Sequence, residues 1–252
     1  MNHIPFLFVD QVAHLVPTSS VTQFPFLASN LWIGVGETHE EKRVDYELEI
    51  FCENTEITYN LRNPKDNETH SIETVLGQDC RFARIASIDL EDDTTAEPVF
   101  WESQIELLKN LLQRIPIGRI DLRGCKDRKA MSCLWEIPVE NVSISTNCPE
   151  EILEFQLFRN QHLRKVEVSR SSYPDSRLEE ENNFDFMRNL VDSWKQGALH
   201  ESEPTGKSIE HLEELGFKRC LDEGSVSYEI QVFGEAMRKA LTISFQCLYN
   251  FP

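Results

Sequence analysis

The chain has 252 residues, and 40% of them are hydrophobic, which is enough for a packed core and excludes wholesale disorder. Its 43 acidic and 25 basic residues leave a formal net charge of −18 at pH 7. A surface this acidic repels phosphate backbones and anionic lipids, so we expect neither nucleic acid nor a membrane among its partners.

The first residues lack the pattern of a secretory signal peptide, because no basic region precedes the apolar run and Asp10 and His14 interrupt it. Seven cysteines, an odd number with no C-x-x-C pair, are typical of free thiols in a reducing compartment. The sequence therefore predicts a cytoplasmic or nuclear protein.

The N-terminal segment is predicted to be helical. Residues 6–16 place apolar side chains on one helical stripe and polar side chains off it, and Pro17 ends the pattern. A second short apolar segment follows at 24–27. We expect two short helical segments before the first strand.

Residues 44–62 change period and predict a β-hairpin. Tyr46, Leu48 and Ile50 alternate with carboxylates, and residues 57–61 repeat the alternation after a turn at 52–55. This pattern is typical of an antiparallel pair that has one buried face and one wet face.

From residue 81 onward, predicted strands alternate with predicted helices, which indicates β-α units around a parallel sheet. Four of these strands share the apolar spacing L-x-x-L-x-L of a leucine-rich repeat, and we call each of them a rung. The rungs begin at Ile85, Ile117, Val139 and Leu163, at intervals of 32, 22 and 24 residues. A fifth candidate rung begins at Leu212. A plain α/β domain whose strands merely share an apolar alternation is the alternative.

The end of the chain again predicts a β-hairpin, with alternating apolar residues at 228–232 and 241–245. This hairpin could cover the open edge of the parallel sheet. The predicted fold class is therefore α/β, with a short N-terminal helical segment, a β-hairpin, leucine-rich-repeat-like β-α units and a C-terminal β-hairpin. We predict two domains, the helical segment at 1–40 and a binding domain at 41–252.

No sequence motif for catalysis or cofactor binding is present. The chain has no phosphate-binding loop, no nucleophile elbow and no histidine pair at metal-ligand spacing. Cys125, Cys133 and Cys148 are expected to be core thiols rather than zinc ligands. The acidic runs at 92–93 and 179–181 are expected to be solvated turns, because they lack the glycine and alternating ligands of a calcium loop. We therefore predict a non-enzymatic protein with no catalytic residues, metal or cofactor.

The residues between the apolar positions of a rung point to the open face of the sheet. In these rungs they form a charged and hydrogen-bonding surface, which we call the strip, and solenoids recognise protein partners through such surfaces. We predict that a protein target binds to Ser87, Asp89, Arg119, Asp121, Arg123, Asn141, Ser143, Lys165 and Glu167. A face that is merely solvated is the alternative.

The order of these features resembles the large nematode families of F-box and F-box-associated proteins. The N-terminus begins with the step Ile4-Pro5-Phe6, continues as an apolar helix and reaches Trp32, which is similar to a degenerate F-box. The stretches HLRKVEV, FMRNLVDSWKQG and RKALTISF resemble a rung, a helix and the closing strand of the associated domain. The resemblance covers most of the chain.

The resemblance implies a function in protein ubiquitination. In that family the F-box docks on the Skp adaptor of a cullin–RING ubiquitin ligase, while the C-terminal part holds the substrate. Carried over to this chain, it implies that the adaptor-binding residues are Pro5, Phe6, Val9, Val12, Leu15 and Val16. The strip then holds the protein target.

One departure from the family pattern keeps a second hypothesis open. The third helix of an F-box is hard to place in residues 31–43, because Gly34 and Gly36 are poor helix residues. Without adaptor docking, the chain is a stand-alone α/β interaction module whose N-terminal helices cap the repeat core. An enzyme that uses the carboxylate-rich loops is the least favoured hypothesis.

Overall fold

The fold is α/β, as the sequence predicts, with helices and strands interspersed. The chain divides into two compact units, the first made of Met1–Asp89 with Thr95–Gly118 and the second of Leu90–Thr94 with Arg119–Pro252. The predicted boundary after residue 40 lies within the first unit. The computed structural model describes residues 5–16, 18–27, 29–53, 56–92, 102–124, 132–169, 177–199, 204–207, 209–222, 225–234 and 239–248. Within these ranges, no helix is long and apolar enough to span a membrane.

The first unit combines helices with strands in the order β3-β2-β1-β4. Its helices are α1 (Phe6–Leu15), α2 (Thr18–Val21), α3 (Asn30–Lys42), α4 (Ile72–Leu76) and α5 (Glu102–Arg114), with 3-10 helices at Phe24–Phe26 and Cys80–Phe82. Its strands are β1 (Val44–Glu53), β2 (Glu56–Asn63), β3 (Glu68–His70) and β4 (Ala83–Asp92), the last of which runs into the second unit.

The second unit has six described strands in the order β5-β6-β7-β10-β9-β8. The strands are β5 (Arg119–Gly124), β6 (Asn141–Ser145), β7 (Lys165–Ser169), β8 (Lys218–Asp222), β9 (Ser225–Gly234) and β10 (Lys239–Leu248). The helices are α6 (Ser132–Trp135), α7 (Glu150–Glu154), a π-helix at Phe155–Arg159, α8 (Arg177–Gln196) and a 3-10 helix at Ile209–Leu215.

A third N-terminal helix, which the two glycines make hard to place from the sequence, is present as α3. It runs without a break through Gly34 and Gly36. A Cβ atom at position 36 would lie 2.7 Å from the Cβ of Phe24, so glycine lets α3 pack closely against the 3-10 helix Phe24–Phe26. Close packing of the helices outweighs the low helix propensity of glycine here.

The predicted hairpin of the first unit is confirmed. The strands β1 and β2 pair antiparallel, with Leu48 opposite Leu61. Leu48, Ile50 and Leu61 are buried, whereas Glu47 and Glu49 on the other face of β1 are partly exposed. The alternation in the sequence therefore marks one buried face and one wet face, as expected.

The repeat spacing is confirmed for three neighbouring strands of the second unit. β5, β6 and β7 are parallel and in register, so Ile120, Val142 and Val166 form one buried row. These residues are 22 and 24 positions apart, as the predicted rungs require. In the first unit, Ile85 and Ile117 form an isolated parallel bridge.

The prediction of a fifth rung at Leu212 is wrong. This residue lies in the 3-10 helix Ile209–Leu215, and the strand that follows, β8, pairs antiparallel with β9. The strand beside β7 is β10, which runs parallel to it with Ile243 next to Val166. β10 also pairs antiparallel with β9, so the predicted C-terminal hairpin is confirmed and covers the edge of β7.

Candidate functional site

The N-terminal helices of the first unit share a small hydrophobic core. Its buried members come from α1, α2, α3 and the 3-10 helix between them: Val9, Ala13, Val21, Phe24 and Val35. Val12, Val16, Leu31 and Trp32 are partly buried and pack against this cluster. The apolar stripe that predicted α1 is therefore largely the side of the helix that holds α1, α2 and α3 together.

Three of the six predicted adaptor-binding residues are exposed. They are Pro5, Phe6 and Leu15. Val9 is completely buried in the helical core, and Val12 and Val16 are partly buried against it. A partner therefore cannot reach Val9 while these helices stay packed.

The opposite side of α1 carries a second set of apolar side chains. Leu7, Phe8 and Leu15 are 69%, 52% and 62% exposed, and we call these three residues the exposed face of α1. Leu7, Gln11 and Leu15 are four residues apart and therefore line one side of the helix. Phe8 lies beside this line, because it is three residues before Gln11. Sequence reasoning missed Leu7 and Phe8 because both sides of α1 are apolar. Phe26 and Leu27, which end the 3-10 helix, are also exposed.

Two buried polar contacts and one exposed contact hold α1 against the rest of the first unit. A hydrogen bond of 3.0 Å joins Nε2 of His39 on α3 to Oδ1 of Asp10 on α1. Arg43 Nη1 donates to the carbonyl oxygen of Ala13 at 3.1 Å. Arg84 on β4 donates to a further α1 carbonyl, that of Leu15, at 2.7 Å. The exposed face of α1 is thus carried on a helix that is fixed from its inner side.

The strip residues of the second unit lie in two rows across parallel strands. One row places Arg119, Asn141 and Lys165 side by side. The other row is built in the same register from β5, β6 and β7: Asp121, Ser143 and Glu167. The structure therefore brings these six predicted residues together. Ser143 and Asp121 are buried, so a target can reach the strip only through the more exposed side chains beside them. Target binding by the strip stays a prediction. Two further members, Ser87 and Asp89, lie on β4 and are half-buried.

Glu167 is the centre of an ionic network in these rows. Its carboxylate is 2.7 Å from Nη2 of Arg119 and 2.9 Å from Nζ of Lys165, and it accepts a hydrogen bond from the Ser143 hydroxyl at 3.3 Å. Burial acts to raise the pKa of Glu167, but the Lys165 hydrogen bond and the positive charges of Arg119 and Lys165 outweigh burial and hold this pKa below its usual range.

The carboxylates of the strip are less exposed than its cations. Arg123 binds Asp121 through Nε, at 2.8 Å to both carboxylate oxygens, and through Nη2 at 2.6 Å. The side chain of Glu167 is 18% exposed and that of Arg119 is 43% exposed. The strip therefore offers mainly guanidinium and ammonium groups to solvent, with the acidic groups beneath them.

Replacement of Glu167 by glutamine is expected to remove a contribution to stability that depends on pH. Because the pKa of Glu167 is lower in the folded chain than its usual 4.5, this contribution is present above the unfolded pKa and is lost as the pH falls through the folded value. The difference in free energy of unfolding between the native chain and E167Q should therefore be larger near pH 7 than near pH 3. Urea unfolding at both pH values measures it.

The control for this change in net charge is Glu151→Gln, at an exposed position on α7. E151Q should not reproduce the pH-dependent difference. If the free energies of unfolding of E167Q and the native chain differ by the same amount at both pH values, the ionic network does not stabilise the strip.

One group among the described residues has donor atoms close enough to hold a metal ion. The donor atoms of Asp66, Glu68 and His70 lie within 4.8 Å of one another at the turn that leads into β3. Asp66 also shapes this turn, since its Oδ1 accepts from the backbone N–H of Glu68 and its Oδ2 accepts from the Asn63 amide. Both carboxylates are exposed, and the turn accounts for their proximity.

Burial, rather than a catalytic partner, is the main cause of three other changes in pKa. It raises the pKa of Cys148 to about 12, so this thiol stays protonated and is a poor nucleophile. Burial is also the leading cause of the lowered pKa of His14 and the raised pKa of Tyr46. None of the three is thereby prepared for acid–base or nucleophilic chemistry.

The comparisons with known proteins leave the family open. No protein-family model matches the chain, and no curated protein or solved structure matches it either. Function is therefore inferred from the residues of the chain itself, above all from the exposed face of α1 and from the strip.

Proposed function

We propose that the chain is a non-enzymatic substrate-recognition subunit of a cullin–RING ubiquitin ligase of the Skp–cullin–F-box type. In this proposal a Skp-type adaptor binds the N-terminal helices, and a protein target binds the strip. The observation that carries it is the exposed face of α1, where Leu7, Phe8 and Leu15 point to solvent on a helix whose other side is already packed. Large exposed apolar side chains on one side of a folded helix favour a protein partner.

The architecture of the described residues between 5 and 42 supports adaptor docking. The resemblance to a degenerate F-box requires a third helix, and α3 supplies one despite its two glycines. These helices have a core of their own, which includes Val9 and Val35, so they need not use the outer side of α1 for folding. The adaptor-binding set is accordingly revised: Leu7 and Phe8 join the exposed residues Pro5, Phe6 and Leu15.

The strip supports the target-binding half of the proposal. Its members in the second unit lie on three parallel strands whose buried rows fix the side chains in register, so their charges form a preorganised surface. Salt bridges from Arg119 and Arg123 to neighbouring carboxylates hold both guanidinium groups in place while leaving them half-exposed. Preorganised side chains lose less entropy when a partner binds.

A pull-down of a purified Skp-type adaptor with the full chain tests the docking half. The double variant L7S/L15S is expected to bind the adaptor at least about tenfold more weakly, because each buried leucine contributes roughly 1.5–3 kcal/mol. Phe233→Ser is the matched control, since this side chain is also exposed but lies on β9 in the second unit. F233S should bind as the native chain does.

Two results would contradict adaptor docking. One is a native chain that is folded, by circular dichroism, and does not retain the adaptor. The other is a folded L7S/L15S variant that binds as tightly as the native chain. Either result favours the alternative, a stand-alone α/β interaction module with no ligase docking, in which α1 is an outer helix of the first unit.

A further inference from the structure

A cavity of about 430 Å³ lies in the second unit between two helical segments. One wall is the face of α8 that carries Phe186, Leu190 and Ser193, spaced by four and three residues. The other wall comes from α7 and the π-helix, through Leu153 and Leu157. The volume lies within the range of about 300–1,000 Å³ that small-molecule sites occupy in proteins.

The cavity has a buried floor and a more open rim. Cys148, Leu157 and Leu190 are buried and form the floor together with Ser193. Glu150 is exposed at the rim, on the first turn of α7. The cavity is thus mostly apolar in its depth, apart from the Ser193 hydroxyl and the Cys148 thiol. Thr146 adds a second hydroxyl, and Glu150 makes the mouth acidic.

The π-helix is an independent sign that this wall is specialised. Its backbone closes a wide turn in which the N–H of Asn160 donates to the carbonyl oxygen of Phe155 at 2.9 Å. Such turns are rare in proteins overall, and those that occur are often found at functional sites. The turn places Leu157 at the cavity while Gln156, in the same turn, is buried and donates to the carbonyl oxygen of Trp135 at 2.6 Å. The cavity wall therefore depends on a departure from α-helical geometry that buried hydrogen bonds maintain.

We propose that this cavity binds an uncharged aromatic molecule of one or two rings that carries a single hydrogen-bonding group. The leucines and Phe186 suit an apolar ring. The hydroxyl of Ser193 and the amide of Asn189, which also lines the cavity, each have more than one hydrogen-bonding position, so they can bind a ligand and keep their partners in the protein. The carboxylate of Glu150 at the rim disfavours an anion. This inference does not depend on the proposed ligase function.

Indole is the probe, and indole-3-carboxylate is its matched anion. Both are titrated into the full chain with labelled leucine methyl groups, to about 5 mM, and followed by NMR. Indole is expected to shift the methyl signals of Leu153, Leu157 and Leu190 in a saturable way. Indole-3-carboxylate should bind at least about tenfold more weakly than indole. Glu150→Gln should reduce this difference in affinity and leave the affinity for indole unchanged.

A variant that fills the cavity tests its location. Leu153→Phe adds volume at a half-buried rim position and should weaken indole binding at least about tenfold. If L153F does not fold, Leu199→Phe at another half-buried rim position gives the same test. The proposal is overturned if indole gives no saturable shifts in the native chain, or if a folded filling variant binds indole as the native chain does.

Discussion

Replacement of Asn160 by leucine is expected to lower the free energy of unfolding by about 3–5 kcal/mol. Asn160 is completely buried between the π-helix and β7. Its Nδ2 donates to the carbonyl oxygen of Val139 at 2.8 Å and to Oε1 of Gln156 at 2.9 Å, and its Oδ1 accepts from the backbone N–H of His162 at 3.0 Å. With leucine at this position, all three groups lose their hydrogen bond to Asn160. Each of these groups that stays buried without a new partner costs about 1–3 kcal/mol of stability.

The measurement is urea unfolding followed by the fluorescence of tryptophan, since Trp135 and Trp194 are buried in the second unit. The matched control is Asn147→Leu, because Asn147 is exposed and accepts one described hydrogen bond, from the Ser145 hydroxyl. N147L should cost about 1 kcal/mol or less. Similar losses in N160L and N147L would show that the buried amide network is not a major source of stability.

Gly36→Ala is expected to lower the free energy of unfolding of the first unit by about 1–3 kcal/mol. The new Cβ would be 2.7 Å from the Cβ of Phe24 and 3.3 Å from Cδ of Pro25, so α3 and the 3-10 helix must move apart. The contact is sensitive because Phe24 is buried in the helical core and also packs edge to face on Trp32, with ring centroids 4.8 Å apart. The loss of packing outweighs the better helix propensity of alanine.

Gly34→Ala is the control on the same helix. Nothing lies within 4 Å of a Cβ at position 34, so alanine is expected to raise stability by up to about 1 kcal/mol through helix propensity alone. Urea unfolding followed by tryptophan fluorescence, to which Trp32 in the helical core contributes, compares the two variants. If the free energy of unfolding falls in G36A and rises in G34A, close packing of α3 at Gly36 is supported. If it rises in both variants, the contact at Gly36 relaxes without cost.

Many of the described strands were predictable from the sequence because their periodicity is local, although β3 and β8 were not. The alternation around Leu48 and Ile50 predicts a two-faced hairpin, and the structure has β1 and β2 there. The spacing of Ile120, Val142 and Val166 predicts three parallel neighbours, and they lie in one register. A period of two residues is a direct consequence of strand geometry, so it can be read without knowledge of the partner strand.

The candidate sites were predictable only in part. The polar rows of the strip follow from the same alternation, so Arg119 and Glu167 were assigned to one face correctly. Their ionic contacts were not predictable, because side chains that are 48 residues apart in sequence meet only when the strands are in register. The cavity beside Cys148 was not predictable either, since its walls come from helices separated by a long connection.

The sequence by itself determined the α/β class, the two hairpins, the spacing of three rungs and the acidic charge, all of which depend on composition or on neighbours a few residues away. The tertiary structure alone decided which apolar side of α1 is buried, because Leu7 and Val9 are equally suited to a core. It also decided that α3 continues through Gly36, where a close helix contact outweighs propensity. The same is true of Leu212, whose apolar spacing fits a rung but whose segment packs as a 3-10 helix. Long-range packing selects among the local conformations that a sequence allows.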